Sequence, residues 1–291
     1  MHSYLRAIGF SELKNESETE KLLNEVFHDY TDREIAKGEN KTVFMQMKKE
    51  YAPDMGIMIC GDLDGEGFHR QYYFPYYNGS SVTTTEEVSI EKRVDGVSYA
   101  GVFDDGRVGV SIIFYVQNSA EYRREQILSQ IFQRKMTTTL SGLSTGGVIL
   151  FPVQKNHEQI DLQQKSSAKR NQLLSAAKNG DQEAIESLTI EDMDLYTMIF
   201  RRMYMEDLYS IVDTFFMPYG IDCDQYQIMG NIQSCERVVN SATDEKIYQM
   251  MLECNDMNFD ICINEKDLVG EPEVGRRFKG VIWLQGQVHF E

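Results

Sequence analysis

A chain of 291 residues can bury one large core or two smaller ones, and 42% hydrophobic with 26% charged residues is the balance of a globular protein rather than a disordered one. Its 46 acidic residues outnumber 29 Lys and Arg, and the resulting charge of −17 repels phosphate backbones, which disfavours nucleic acid and anionic membranes as partners. No apolar run approaches the roughly 20 residues a membrane helix needs, and the start MHSYLRAIGF lacks the features of a secretory signal, so a cytoplasmic protein without a membrane segment is expected.

The N-terminal part reads as α+β. Residues 4–10 fit a short strand, and residues 17–30 a helix, with Leu22, Leu23, Val26, Phe27 and Tyr30 at three-and-four spacing. Strands are predicted over 42–48, 55–61, 68–77, 84–93, 97–103 and 107–117. In the last of these Val108, Val110, Ile112, Phe114 and Val116 share one face, and Gly109, Ser111 and Tyr115 the other. Asn118 or Ser119 caps a helix to about 133, and a strand pair near 136–153 closes the region. This succession predicts a mainly antiparallel sheet with helices on one face, a domain spanning 1–155.

Residues 154–169 (QKNHEQIDLQQKSSAK) are polar and glutamine-rich, and they open a helical connector over 156–218. Gly180 reads as the stop of one helix and Asp181 as the cap of the next. Thr189 and Asp192 begin a third, with Met193, Tyr196, Phe200 and Met203 as its apolar stripe. From about 219 the pattern returns to strands. Tyr248, Met250, Leu252 and Cys254 share a face, as do Phe259, Ile261 and Ile263, and then Phe278, Gly280, Ile282, Leu284, Gly286, Val288 and Phe290. Several such strands with glycines at the bends predict a small barrel-like domain over 219–291.

Several stretches resemble chemistry. GDLDGEG (61–67) places Asp62, Asp64, Glu66 and Gly67 at the first positions of a calcium loop, but Tyr73 stands where the bidentate glutamate belongs, and the flanks are strands rather than helices. A hairpin turn is expected there. Gly142-Leu143-Ser144-Thr145-Gly146 satisfies the string of a serine nucleophile elbow, yet an apolar strand follows where the elbow requires a helix, so this too reads as a glycine-rich hairpin. The histidines have no metal-ligand spacing, and the five cysteines (60, 223, 235, 254 and 262) contain no C-x-x-C pair; reduced thiols, no metal and no cofactor are expected. Cys254 and Cys262 fall on opposite strand faces.

Two surfaces remain as candidate contacts for a ligand or partner. One is the aromatic run Tyr72-Tyr73-Phe74-Pro75-Tyr76-Tyr77, with Tyr72 and Tyr76 on one face and core packing as the competing reading. The other is the last strand's side opposite its core, with Lys279, Val281, Trp283, Gln285, Gln287 and His289, which joins Arg276 to the single tryptophan. From 219 onward, six Lys and Arg face thirteen Asp and Glu, which weakens a nucleic-acid version of that surface.

The stretches HSYLRAIGFSEL, SIVDTFFMPYG and EKDLVGEPEVGRRFKGVIWLQGQVHF resemble a clostridial family catalogued as a domain of unknown function, over nearly the whole chain. The resemblance implies a bacterial cytoplasmic protein and carries no activity or catalytic residue. Without a catalytic constellation, the residues favour a non-enzymatic binding or scaffold protein that meets a protein partner or another copy of itself. The alternative is a small-ligand-binding protein or a hydrolase with an unrecognised site.

Overall fold

The computed structural model describes residues 2–38, 42–127, 136–153, 169–170, 172–177, 180–202 and 208–290. The chain opens with a 3-10 helix, Ser3–Ile8, rather than the expected strand. Its buried residues, Tyr4, Leu5, Ala7 and Ile8, recur at helical spacing. Gly9 then adopts φ 93°, a left-handed conformation that suits glycine, and the amides of Gly9 and Phe10 close the turn on Arg6 and Leu5. Helix α1 (Glu16–His28) starts where Asn15 accepts a hydrogen bond from the Glu18 amide at 2.9 Å, and it buries Leu22, Leu23 and Val26.

Strands β1 (Asp32–Lys37), β2 (Val43–Ala52), β3 (Met55–Leu63) and β4 (Phe68–Tyr77) form an antiparallel sheet in that order. Strand β1 is missing from the sequence reading because DREIAK has a single aliphatic β-branched residue and mostly exposed side chains. The chain continues with β5 (Ser89–Lys92), β6 (Tyr99–Asp105), β7 (Val110–Val116) and helix α2 (Ser119–Ile127). The expected extension of that helix to 133 lies outside the described residues. Where a strand pair was expected near 136–153, one strand, β8 (Met136–Leu150), runs unbroken through the glycine-rich segment.

Residues 154–168 of the expected connector lie outside the described residues. Gly180 takes φ 85° and closes on Ala177, while Asp181 accepts from the amides of Glu183 and Ala184, so stop and cap stand as expected. Thr189 and Asp192 begin no third helix. Both sit within α3 (Gln182–Arg202), where the Thr189 hydroxyl donates to the Ile185 carbonyl without breaking the turn. Of the expected stripe, Met193 is exposed; Met203 and the side chains of Tyr196 and Phe200 lie outside the described residues. A short helix α4 (Leu208–Ile211) leads to β9 (Phe215–Pro218), β10 (Gln225–Val239), β11 (Lys246–Cys254), β12 (Met257–Asn264), β13 (Leu268–Val269) and β14 (Arg277–Phe290).

Strand β8 pairs with β12 on one side and β14 on the other, and β12, β11, β10 and β14 pair in turn, so five strands close a ring. The barrel expected over 219–291 therefore takes one of its staves from residues 136–150, and the strands of the two regions share hydrogen bonds in one sheet. Strands β7, β6 and β5 extend this sheet outward from β14.

The alternating residues read from the sequence fill the ring: Met250 and Leu252, Phe259, Ile261 and Ile263, and Phe278, Ile282 and Leu284 are all buried in one cluster, joined by Tyr226 and Ile228 of β10. Each contributes about 1.5–3 kcal/mol by leaving water. A ring this narrow needs glycine where strands crowd. A Cβ on Gly142 would stand 2.8 Å from Ile282, and one on Gly147 would stand 2.3 Å from the Phe278 ring.

A second cluster lies outside the ring, between it and the four-stranded sheet. It joins the N-terminal helices and the inner faces of β2, β3 and β4 to Leu143, Cys262, Val238, Ile247 and Trp283 on the barrel exterior. Cys254 belongs to the first cluster and Cys262 to the second, the opposite facing expected from the strand count. All five cysteines are free thiols. Mixed helix and strand content with mainly antiparallel pairing makes the fold α+β. Among the described residues no helix is long and apolar enough to cross a membrane.

Candidate functional site

The five residues singled out from the sequence do not converge. Trp283 was expected on an outward face, but only 5% of its surface is exposed, because the N-terminal segment covers it. Tyr4 stacks on the indole at 5.4 Å, and the rings of His2 and Tyr115 lie 4.7 and 5.1 Å away. The indole Nε1 donates to Asp224 Oδ2 at 3.0 Å, and Arg93 pairs with the same oxygen at 2.6 Å. This is a filled contact, not a groove. Burial pushes His2 down to about 4, with the amino terminus adding to the effect and Asp224 opposing it.

Tyr76 is 1% exposed and Tyr72 is half-buried, its hydroxyl 3.1 Å from Ser119 Oγ. Burial raises both phenols well above their ordinary range. The aromatic run packs between the four-stranded sheet and the barrel, so Tyr76 offers no surface to a partner. Arg276 and Lys279 lie on other ground. Arg276 pairs with Glu273 at 2.9 Å and sits 5.6 Å above the Phe151 ring, while Lys279 sits 4.2 Å above the Tyr209 ring and donates to its hydroxyl.

The acidic stretch is the expected hairpin. Asp64 Oδ1 accepts from the amides of Glu66 and Gly67 at 2.8 and 3.2 Å, and the Asp64 amide donates to the Gly67 carbonyl at 3.1 Å. The turn's own amides, the Glu66 amide first, and His69 hold the Asp64 carboxyl below its usual range. Among the described residues no group of three His, Cys, Asp or Glu could hold a metal ion.

The serine segment is not a hairpin. Ser144 sits mid-strand, beside an irregularity where Thr145 and Gly146 bulge opposite Val281, and its hydroxyl donates to the Val281 carbonyl at 2.8 Å. It is wholly buried, so it meets no substrate. The buried thiols of Cys60, Cys254 and Cys262 are pushed far up by desolvation, which leaves them protonated and unreactive.

A cavity that no sequence motif signals lies elsewhere. Residues Val82–Glu86, Asp105–Arg107, Leu174 and Ser175 enclose a cleft of about 400 Å³, within the size range of small-molecule sites. Its polar wall is ordered. Arg107 donates to both Asp105 oxygens at 2.6–3.2 Å and to the Asp256 carbonyl at 3.1 Å. The amides of Thr83 and Thr84 donate to the Thr138 carbonyl at 2.8 and 3.1 Å. Three separate segments supply this wall, each of ordinary composition, so periodicity could not assemble it.

Residues 5–286 match the family described as a domain of unknown function, E. rectale gene description (DUF3881). The chain belongs to the DUF3881 family. No curated protein and no solved structure matches it. The clostridial resemblance read from three stretches thus extends over nearly the full chain, and in this DUF3881 member the matched span holds the covering sheet and all of the closed ring but the last four residues of β14.

Proposed function

We propose that this DUF3881 member is a non-enzymatic, cytoplasmic binding or scaffold protein that receives a protein partner, or a second copy of itself, on helix α3. The observation that carries the reading is the exposure of large apolar side chains on that one 21-residue helix: Ile185, Ile190, Met193 and Met198 are 42, 60, 66 and 49% exposed. A helix with apolar groups in water favours burial against another surface. Asp64 and Ser144, which resembled catalytic groups, are engaged by backbone, which supports a binding rather than a chemical role. Cysteines kept apart as free thiols suit a reducing compartment.

Light scattering and affinity capture test the reading. Self-association gives a mass above the 33.6 kDa monomer that returns to monomer in Ile190→Glu with Met193→Glu. A heterologous partner is captured by the wild type and lost with the same double variant. A strict monomer that captures nothing reproducibly retires the proposal.

A second reading, a small-ligand-binding protein, is favoured by the cleft beside Arg107. A thermal-shift screen with divalent metals, nucleotides and sugars separates the two: a rise of several degrees with one ligand, abolished by Leu174→Glu, places the ligand in the cleft.

A further inference from the structure

Arginines in this chain find oxygen partners readily. Arg6, Arg70, Arg93, Arg107, Arg124 and Arg237 each pair with a carboxylate at 2.5–3.2 Å. Arg277 is buried without a close carboxylate, but it donates to the carbonyls of Phe151, Val212, Asp213 and Tyr209, at 2.8–3.4 Å. Among the described arginines that are buried, Arg123 is the exception. It lies on α2, only 8% exposed, with its guanidinium carbon 3.9 Å from the centre of the Phe44 ring and 5.5 Å from that of Tyr99. Among the described residues its one hydrogen bond runs from Nη2 to the Val97 carbonyl at 3.4 Å, near the outer limit for such a bond, and its buried Nε has no partner.

A buried cation is costly unless an anion and hydrogen bonds compensate it, and leaving N–H groups unpaired adds to the cost. Cation–π contact with two aromatic rings offsets part of this cost for the planar guanidinium. It does not use the N–H donors along the edges of that plane. In a chain with 46 acidic residues a carboxylate partner was amply available, and Arg124, the next residue, has one in Glu34 at 2.6 Å. A planar guanidinium packed against two rings, with donors unspent, can read a carboxylate or phosphate through two parallel hydrogen bonds.

We propose that Arg123 is the recognition group of an anion site, taking one carboxylate or phosphate group of a small molecule on its unpartnered guanidinium edge, with Phe44 and Tyr99 packed against the cation. The site is independent of helix α3 and of the Arg107 cleft, and it requires no catalytic step. The chain's negative field opposes anions at long range, so recognition is local and rests on this one fork.

The test measures the melting temperature of the full chain in inorganic phosphate and in acetate, each against chloride at equal ionic strength, for wild type, Arg123→Lys and Arg123→Met. Wild type is expected to gain several degrees with one of the two anions, and the responding arm tells phosphate from carboxylate. Arg123→Lys keeps the charge but loses the fork, and should bind about tenfold more weakly or worse. Arg123→Met should show no anion response. Should Arg123→Met fail to fold, the Arg123 Nε–H resonance of wild type, assigned by its loss in Arg123→Lys, is followed during the anion titration and should move. No anion-specific gain in wild type overturns the proposal, as does an equal gain in both variants or an unmoved Nε–H signal.

Discussion

The barrel interior and the layer between barrel and sheet are built on different physics. Inside the ring, Phe259, Ile261, Ile263, Phe278, Ile282 and Leu284 are buried in one apolar cluster, and glycine supplies the clearance. Between ring and sheet, amides and a histidine are interleaved with the aromatics. Gln285, wholly buried, donates to the Pro75 carbonyl at 2.8 Å and accepts from Gln117 at 2.7 Å, while Gln117 donates to the Tyr77 carbonyl at 2.8 Å. Gln46 accepts from the Ala120 amide at 2.9 Å, and Asn240 donates to the Ile8 carbonyl at 2.8 Å. Apolar burial is non-directional and fills the ring; hydrogen bonds are directional and set how the sheet sits on it. The lesson is that apolar packing fills the ring, whereas apolar packing and directed hydrogen bonds together seat the sheet on it.

The largest effect should come from the interior. Phe259→Ala is expected to cost about 3–5 kcal/mol in urea unfolding, as a large side chain is removed from a closed ring that cannot collapse around the gap. A loss below about 1 kcal/mol would break the contrast, because interior packing would then not be the main source of stability.

Next is the histidine of the junction. His2 has an ordinary value of 6.5 and is held near 4 in the fold. Between those values the unfolded chain binds the proton that the folded chain refuses, so stability falls as pH drops from 6.5 towards 4 and levels off below. The ceiling on this loss is about 3 kcal/mol. Unfolding followed by the fluorescence of Trp283, the chain's one tryptophan, should show the slope in wild type and a flatter profile in His2→Phe. Identical profiles would remove His2 from the account.

Gln285→Leu should cost about 1–3 kcal/mol, since it strips partners from the Pro75 carbonyl and from Gln117. Combined with Gln117→Leu, the losses should be less than additive by at least about 0.5 kcal/mol; simple additivity would show that the two amides do not act together. The smallest effect belongs to the exposed turn. Asp64→Ala should change stability by less than about 1 kcal/mol and leave the response to calcium unchanged, whereas a calcium-dependent melting shift lost in the variant would restore GDLDGEG as a cation site.

The strands that line the barrel were legible because alternation is a local signal: Phe259, Ile261 and Ile263 announce one buried face whatever lies opposite. The caps at Asn15 and Asp181 were equally local, depending on side-chain oxygens and amides two or three residues away. The first segment misled because a run of seven residues carries too few repeats to separate helix from strand. The segment through Ser144 misled because a glycine-rich stretch that can turn can also bulge, and only its pairing with Val281 decides between them. The candidate site was less legible than the fold. Nothing near Trp283 in the sequence names His2 and Tyr4, 279 residues or more away along the chain, as its cover.

The sequence by itself determined which residues of β11, β12 and β14 line the ring, the acidic field, the free thiols and the family, since all of these are carried by neighbours along the chain. The tertiary structure alone decided that 136–150 completes a ring with 225–290, that the single tryptophan lies under the N-terminus, and that Arg123 is buried without a carboxylate. Each of these joins groups far apart in sequence, and a periodicity of two or of 3.6 contains no information about which distant surface will supply the partner.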